Sequence, residues 1–189
     1  MSSLKNYCGP LSELLGMTLD GLYERARALT HSGYLSGAAG RGPGSGVRAT
    51  VPNVTKLLLS TLATDSLSEV DAKTRKLAAL KQVDGKCALT GELRFQNALE
   101  KILGSPELSD SVVTIDVRRE DMSARISFVQ RPRQFEMSDF GHRSGPPAPP
   151  TRIARLIIAR LSGKGAKAIA QDLQDIASGA PPRSETRIP

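Results

Sequence analysis

The chain has 189 residues, 39% of them hydrophobic, with no tryptophan, three tyrosines and four phenylalanines, and a formal charge of +7 with a pI near 9.7. That length holds one large or two small domains with a core of Leu, Ile, Val and Ala, and the basic balance favours a polyanionic partner. Cys8 and Cys87 make neither a disulfide framework nor a metal-ligand cluster. No window is apolar enough to span a membrane, and the start of the chain lacks the pattern of a signal peptide. A cytoplasmic protein without membrane association, cofactor or metal is therefore expected.

The positive excess is uneven. Residues 1–63 carry six Lys or Arg against three acids, and the last 38 carry seven against three, whereas residues 91–132 carry six against seven. Contacts with a polyanion are thus expected from the two ends rather than the middle.

Residues 11–35 read LSELLGMTLDGLYERARALTHSGYL. An apolar helix over 11–15 meets Gly16. Thr18 can cap a second helix whose apolar positions Leu22, Ala26 and Leu29 fall at i, i+4 and i+7, and Gly33 stops it. The face opposite Leu22 carries Asp20, Glu24, Arg27 and His31. This is the form of a helix-turn-helix, in which the polar face of the second helix enters the major groove. Residues 36–46, SGAAGRGPGSG, are rich in glycine. VRATV over 47–51 alternates as a short strand would, and residues 53–63, NVTKLLLSTLA, are amphipathic.

Helix, turn, helix, glycine-rich loop, strand and helix is the order of a winged helix. The segment LGMTLDGLYERARALTHSGYL resembles bacterial winged-helix regulators of the MarR and MerR kind, over about the first third of the chain. The resemblance implies a DNA-binding module with a basic wing, of bacterial or phage origin.

The residues expected to meet DNA follow from that reading. In the second helix they are Asp20, Gly21, Tyr23, Glu24, Arg25, Arg27 and Ala28, since Arg can pair with guanine and an acid can accept from cytosine. Thr18, at the helix start, is placed for a phosphate. In the wing they are Arg41, Ser45 and Arg48, where a glycine-rich loop can follow a phosphate ridge or enter a minor groove. The loop is not a nucleotide-binding loop, because it lacks the GKS or GKT ending and no apolar strand precedes it.

Residues 64–90 read as a connector helix, with a capping box of Ser66 and Glu69, a stripe of Leu67, Val70, Leu77 and Leu80, and Gly85 at its end. Residues 91–104 read as an amphipathic helix burying Leu93, Phe95, Leu99, Ile102 and Leu103. A turn over 105–111 leads to two strands, 112–118 with Val113, Ile115 and Val117 on one face, and 124–130 with Ile126 and Phe128 on the matching face. Residues 119–123 join them as a hairpin. Residues 141–151 hold four prolines in five positions and read as an extended spacer. Residues 152–161 read as an amphipathic helix, residues 162–165 as a break, and residues 166–177 as a last helix with Ile169, Leu173 and Ile176 on one stripe. The tail over 179–189 reads as disordered.

Catalytic signals are absent from the sequence. His31 and His142 are the two histidines, no HExxH, paired CxxC or GxSxG motif occurs, and Glu120 and Asp121 fall in a solvated turn. The expected protein is α+β and not an enzyme. A winged helix-turn-helix over 1–63, joined by the connector 64–90, precedes an oligomerisation region over 91–178. Its expected function is sequence-specific binding of double-stranded DNA in transcription regulation, as a homodimer whose two heads read two half-sites. Two alternatives share the sequence features. One is a DNA-packaging or recombination accessory protein using the same module. The other is a protein-interaction adaptor that does not bind DNA, which the acids Asp20 and Glu24 favour.

Overall fold

The structure is a computed structural model that describes residues 2–37, 46–130, 134–141 and 158–180. Within these residues the chain forms seven helices and one four-stranded antiparallel sheet, a mixed α+β fold.

Helix α1 runs Leu4–Leu15, longer than expected. It begins before the expected 11–15 and takes in Pro10, and its buried side holds Leu4, Tyr7, Cys8 and Leu11. Ser3 caps its start by accepting from the Asn6 N–H at 3.1 Å. Gly16 ends it at φ 63° and ψ 32°, the left-handed conformation that glycine adopts without a Cβ clash. Two residues later Thr18 accepts from the Gly21 N–H at 3.2 Å and starts α2, Leu19–His31, as its spacing predicts.

Helix α3, Val51–Ala63, is the central helix, with every residue from Leu57 to Ala63 buried. The strand expected over 47–51 is not there. Arg48 makes one antiparallel bridge with Ser3, and Val51 already belongs to α3, helped by Pro52 in its first turn. The connector shrinks to α4, Val70–Ala78. Its capping box does not form: the Ser66 hydroxyl faces that of Ser68, and Glu69 pairs with Lys73 at 2.9 Å. The helix stops well before Gly85.

Helix α5, Phe95–Gly104, buries Phe95, Leu99, Ile102 and Leu103 as expected, while Leu93 lies before it and is exposed. The expected turn over 105–111 is a short helix, α6, Pro106–Ser111, capped by Ser105.

Strands β1, Val112–Arg118, and β2, Ser123–Gln130, form the expected hairpin. A bulge between Val112 and Thr114 turns Val112 inward and leaves Val113 exposed, so the inward set is Val112, Ile115 and Val117. Strand β3, Gln134–Phe140, pairs with β2, and β4, Ile158–Ser162, pairs with the far side of β1. The order β3-β2-β1-β4 places the last strand beside the first, as in a Greek key.

The helix expected over 152–161 is thus corrected for residues 158–161. Leu161 turns inward while Ile158 and Arg160 turn out, a period of two imposed by pairing with β1. Residues 152–157, most of the proline-rich stretch and residues 181–189 lie outside the described residues. Residues 162–165 do not break a helix. Ser162 caps α7, Gly163–Ser178, by accepting from the Gly165 N–H at 3.1 Å. A Cβ on Gly163 would lie 1.9 Å from the Val112 carbonyl oxygen, so only glycine lets the first turn of α7 pass β1 this closely.

One cluster of buried side chains runs from Leu4 in α1 through α3 and α5 to Ile176 in α7 and takes in the inner face of the sheet. Helix α7 reaches back to α1, where the Tyr7 hydroxyl donates to Asp172 Oδ2 at 3.4 Å. Residues 1–63 and 91–178 therefore share this core in their described parts. Burial and the Asp172 charge push the Tyr7 phenol well above its ordinary range, and burial pushes the Cys8 thiol up to about 11. Neither group ionises near neutral pH.

Candidate nucleic-acid interface

The geometry of α2 follows from its sequence. Leu22, Arg25, Ala26 and Leu29, at i, i+3, i+4 and i+7, form its buried side. Thr18, Asp20, Tyr23, Glu24, Arg27 and His31 lie on the exposed side. Burial of one side fixes the direction in which the other faces.

The outward side borders a groove of about 920 Å³. Tyr23, Glu24, Arg27 and His31 form one wall. Ser3, Leu4 and Lys5 from the start of α1, with Gly46 and Val47 from the end of the glycine-rich stretch, form the other, and Leu67 closes part of the rim. Backbone bonds hold the second wall together: the Leu4 N–H donates to Val47 O at 2.7 Å and the Ala49 N–H to Ser2 O at 3.1 Å. Residues far apart in sequence are thereby brought to the same groove as α2.

The charges are arranged locally. Lys5 Nζ lies 5.6 Å from the centroid of the Tyr23 ring, within cation–π range. Arg27 and Glu24 are 3.7 Å apart, one helical turn from each other and both well exposed. An exposed pair of this kind contributes well under about 1 kcal/mol and is readily exchanged for a stronger partner. Arg48 is exposed beside Val47. Arg41 and Ser45 lie outside the described residues.

Arg25 does not belong to this surface. It is 4% exposed and points into the protein, where Nη1 donates to the Ser60 carbonyl and Nη2 to the Asp65 carbonyl, each at 3.0 Å. Burial pulls its pKa down, Asp65 offsets part of that, and the neighbouring Arg119 charge adds to it. The expectation that Arg25 meets DNA is corrected on this ground: its donors hold backbone carbonyls, and no surface presents it.

No protein-family model matches the chain, and neither a curated protein nor a solved structure is significantly similar to it.

Arg119 is the residue that sequence reasoning missed. It stands in the β1–β2 turn and completes what Arg25 begins. Its Nε donates to Leu62 O and its Nη2 to Thr61 O, both at 2.9 Å, and its Nη1 meets Asp65 Oδ2 at 2.5 Å. The Arg119 hydrogen bond holds the Asp65 carboxyl below its ordinary value. Two guanidiniums thus satisfy the last carbonyls of α3, a helix with no basic residue in its own last turn. No local signal marks Arg119, because its partners lie more than fifty residues away. Lys5 was also missed, although its place in the first turn of α1 follows once that helix starts at Leu4.

Among the described residues no group of three or more His, Cys, Asp or Glu could hold a metal ion. No helix among them is long and apolar enough to cross a membrane.

Proposed function

We propose that the chain binds double-stranded DNA through the outward side of α2 together with the glycine-rich segment, as a sequence-specific transcription regulator built on a winged helix-turn-helix. The observation that carries the reading is the shared groove. Tyr23, Glu24, Arg27 and His31 on α2 and the Gly46–Val47 end of the glycine-rich stretch border one space, so a helix in the major groove and a loop on the flanking backbone can act on one duplex. Thr18 and the start of α2 serve a phosphate, Arg27 serves a base edge, and Arg48 serves the backbone, with Arg41 and Ser45 of the same glycine-rich segment as further candidates. The net charge of +7 supports such a partner.

The test is selection of duplex fragments by the purified full chain from a random pool at low salt. A recurrent sequence that the Arg27→Ala variant fails to enrich is the expected result. Failure of the wild type to retain any duplex at low salt overturns the proposal.

A second reading has its own observation. The groove is walled by Leu4, Ala26, Ala28, Val47 and Leu67 as well as by charges, and Glu24 already neutralises Arg27. A protein segment with an apolar side chain would fit such walls, and this is the adaptor reading. It is favoured if duplex binding is absent.

A further inference from the structure

The side of the sheet turned away from the helices carries one row of charge across all four strands. Register makes Asp139 on β3, Arg125 on β2, Asp116 on β1 and Arg160 on β4 direct neighbours in that order. Arg125 holds both oxygens of Asp139, at 2.7 and 3.1 Å, and Arg160 holds both of Asp116, at 2.5 and 3.4 Å. The signs alternate, minus, plus, minus, plus.

Such a row read backwards is its own complement. A two-fold axis lying in the plane of this face and running along the strands exchanges β3 with β4 and β2 with β1. Asp139 then comes opposite the partner's Arg160, and Arg125 opposite the partner's Asp116. An axis along the row would set every charge against itself, so the alternation selects one orientation.

The same face carries unpaired apolar surface. Met137 is 50% and Phe135 56% exposed, and Val113 and Val129 are exposed beside them at the end of the sheet where β1 begins. Since β1 and β2 change places, Val129 comes over the partner's Val113. The outer edge of β3 is partly occupied, because the Val83 N–H donates to Asp139 O and the Gly141 N–H to Lys81 O, which directs association to the face rather than that edge.

We infer that the open face of the sheet joins two copies of the chain about this axis, the charge row setting orientation and the apolar band supplying contact. Strand spacing and rise give a flat area on the order of 400 Å² per copy. This lies below the roughly 800 Å² per partner of standard interfaces, so the dimer is a weak one, forming in the micromolar range and above. The inference stands on the sheet and does not depend on the DNA reading.

Sedimentation equilibrium of the full chain over a concentration series tests it, with two paired charge swaps. Asp116→Arg with Arg160→Asp reads minus, plus, plus, minus, and Arg125→Asp with Asp139→Arg reads plus, minus, minus, plus. Both retain paired opposite charges within the chain, but each meets like charges in its own copy. The expected result is a loss of self-association of about tenfold or more for each swap alone. Mixing the two restores association, because each row complements the other. A wild type that stays monomeric throughout, swaps that self-associate like the wild type, or a mixture that stays monomeric overturns the inference. If either swap fails to fold, Met137→Lys with Val129→Lys changes only exposed positions of the same face. Loss of the dimer with an unchanged melting curve is then the expected outcome, and an undiminished dimer overturns the inference.

Discussion

At the end of α3, Arg25 and Arg119 turn inward and commit their N–H groups to the carbonyls of Ser60, Thr61, Leu62 and Asp65. In the groove, Lys5 stands at the surface beside the Tyr23 ring and Arg27 beside the exposed Glu24 carboxylate. Arg25 and Arg27 are two residues apart in one helix, yet the first is a structural cap for a neighbouring helix and the second is open to a partner. The net charge of a basic chain therefore does not count its partner contacts. Which side of α2 an arginine occupies decides whether it is committed inside the fold or left at the surface.

The interior should be sensitive to small changes, and Gly163 sets the upper end of the scale. A methyl there collides with the Val112 carbonyl oxygen, which belongs to backbone and cannot rotate away. Gly163→Ala should cost about 3 kcal/mol or more in urea unfolding. A smaller loss would mean that α7 can lift from β1 without disturbing the core.

Arg25→Ala comes next. It removes two charge-assisted hydrogen bonds and leaves the Ser60 carbonyl buried without its donor. A loss of roughly 2–4 kcal/mol is expected, and duplex affinity measured where the variant is folded should change little. Unchanged stability with lost DNA binding would reverse the comparison.

Asp65 is the exposed member of the same junction, and its effect depends on pH. Its carboxyl is held below its ordinary 3.8, first by the Arg119 hydrogen bond. The stabilisation is present above that ordinary value and fades as pH falls through it toward the lower folded value. Water screens this largely exposed group, so the contribution stays under about 1 kcal/mol. Asp65→Asn should lower stability slightly at pH 7 and flatten the fall between about pH 5 and 3. An acid limb with the wild-type slope would show that Arg119 does not depend on the carboxylate.

The groove should behave in the opposite way. Arg27→Ala is expected to leave stability within about 0.5 kcal/mol, since its ion pair with Glu24 is exposed. Specific duplex binding should weaken by roughly 1–3 kcal/mol relative to random duplex.

Much of the helical part is legible in the sequence because its signals are local. Gly16, Thr18 and the spacing of Leu22, Ala26 and Leu29 fix the turn and the face of α2 within a few residues. Arg25 falls at i+3 from Leu22 and i−4 from Leu29 on the same stripe, a spacing that signals burial, yet its charge places it among the expected DNA contacts, and the structure overturns that expectation. Strand β3 was not, because its alternation is inverted. Phe135 and Met137 face out, while Ser138 is buried and donates nothing to a hydrophobic pattern. Strand β4 was hidden by apolar residues at spacings that also suit a helix, and only pairing with β1 decides between the two. The charge row needs the register of all four strands and no single segment contains it.

If the outward side of α2 binds duplex DNA, as proposed, affinity must depend steeply on salt. Phosphate contacts release counterions, so the logarithm of the binding constant falls linearly with the logarithm of salt concentration, by about 0.9 for each phosphate neutralised. Wild type should show a steep slope, Arg48→Ala one shallower by about 1 on every sequence, and Arg27→Ala a loss confined to the selected sequence. A wild-type chain whose duplex affinity is immeasurable at low salt, or whose binding is indifferent to both substitutions, would overturn the proposal.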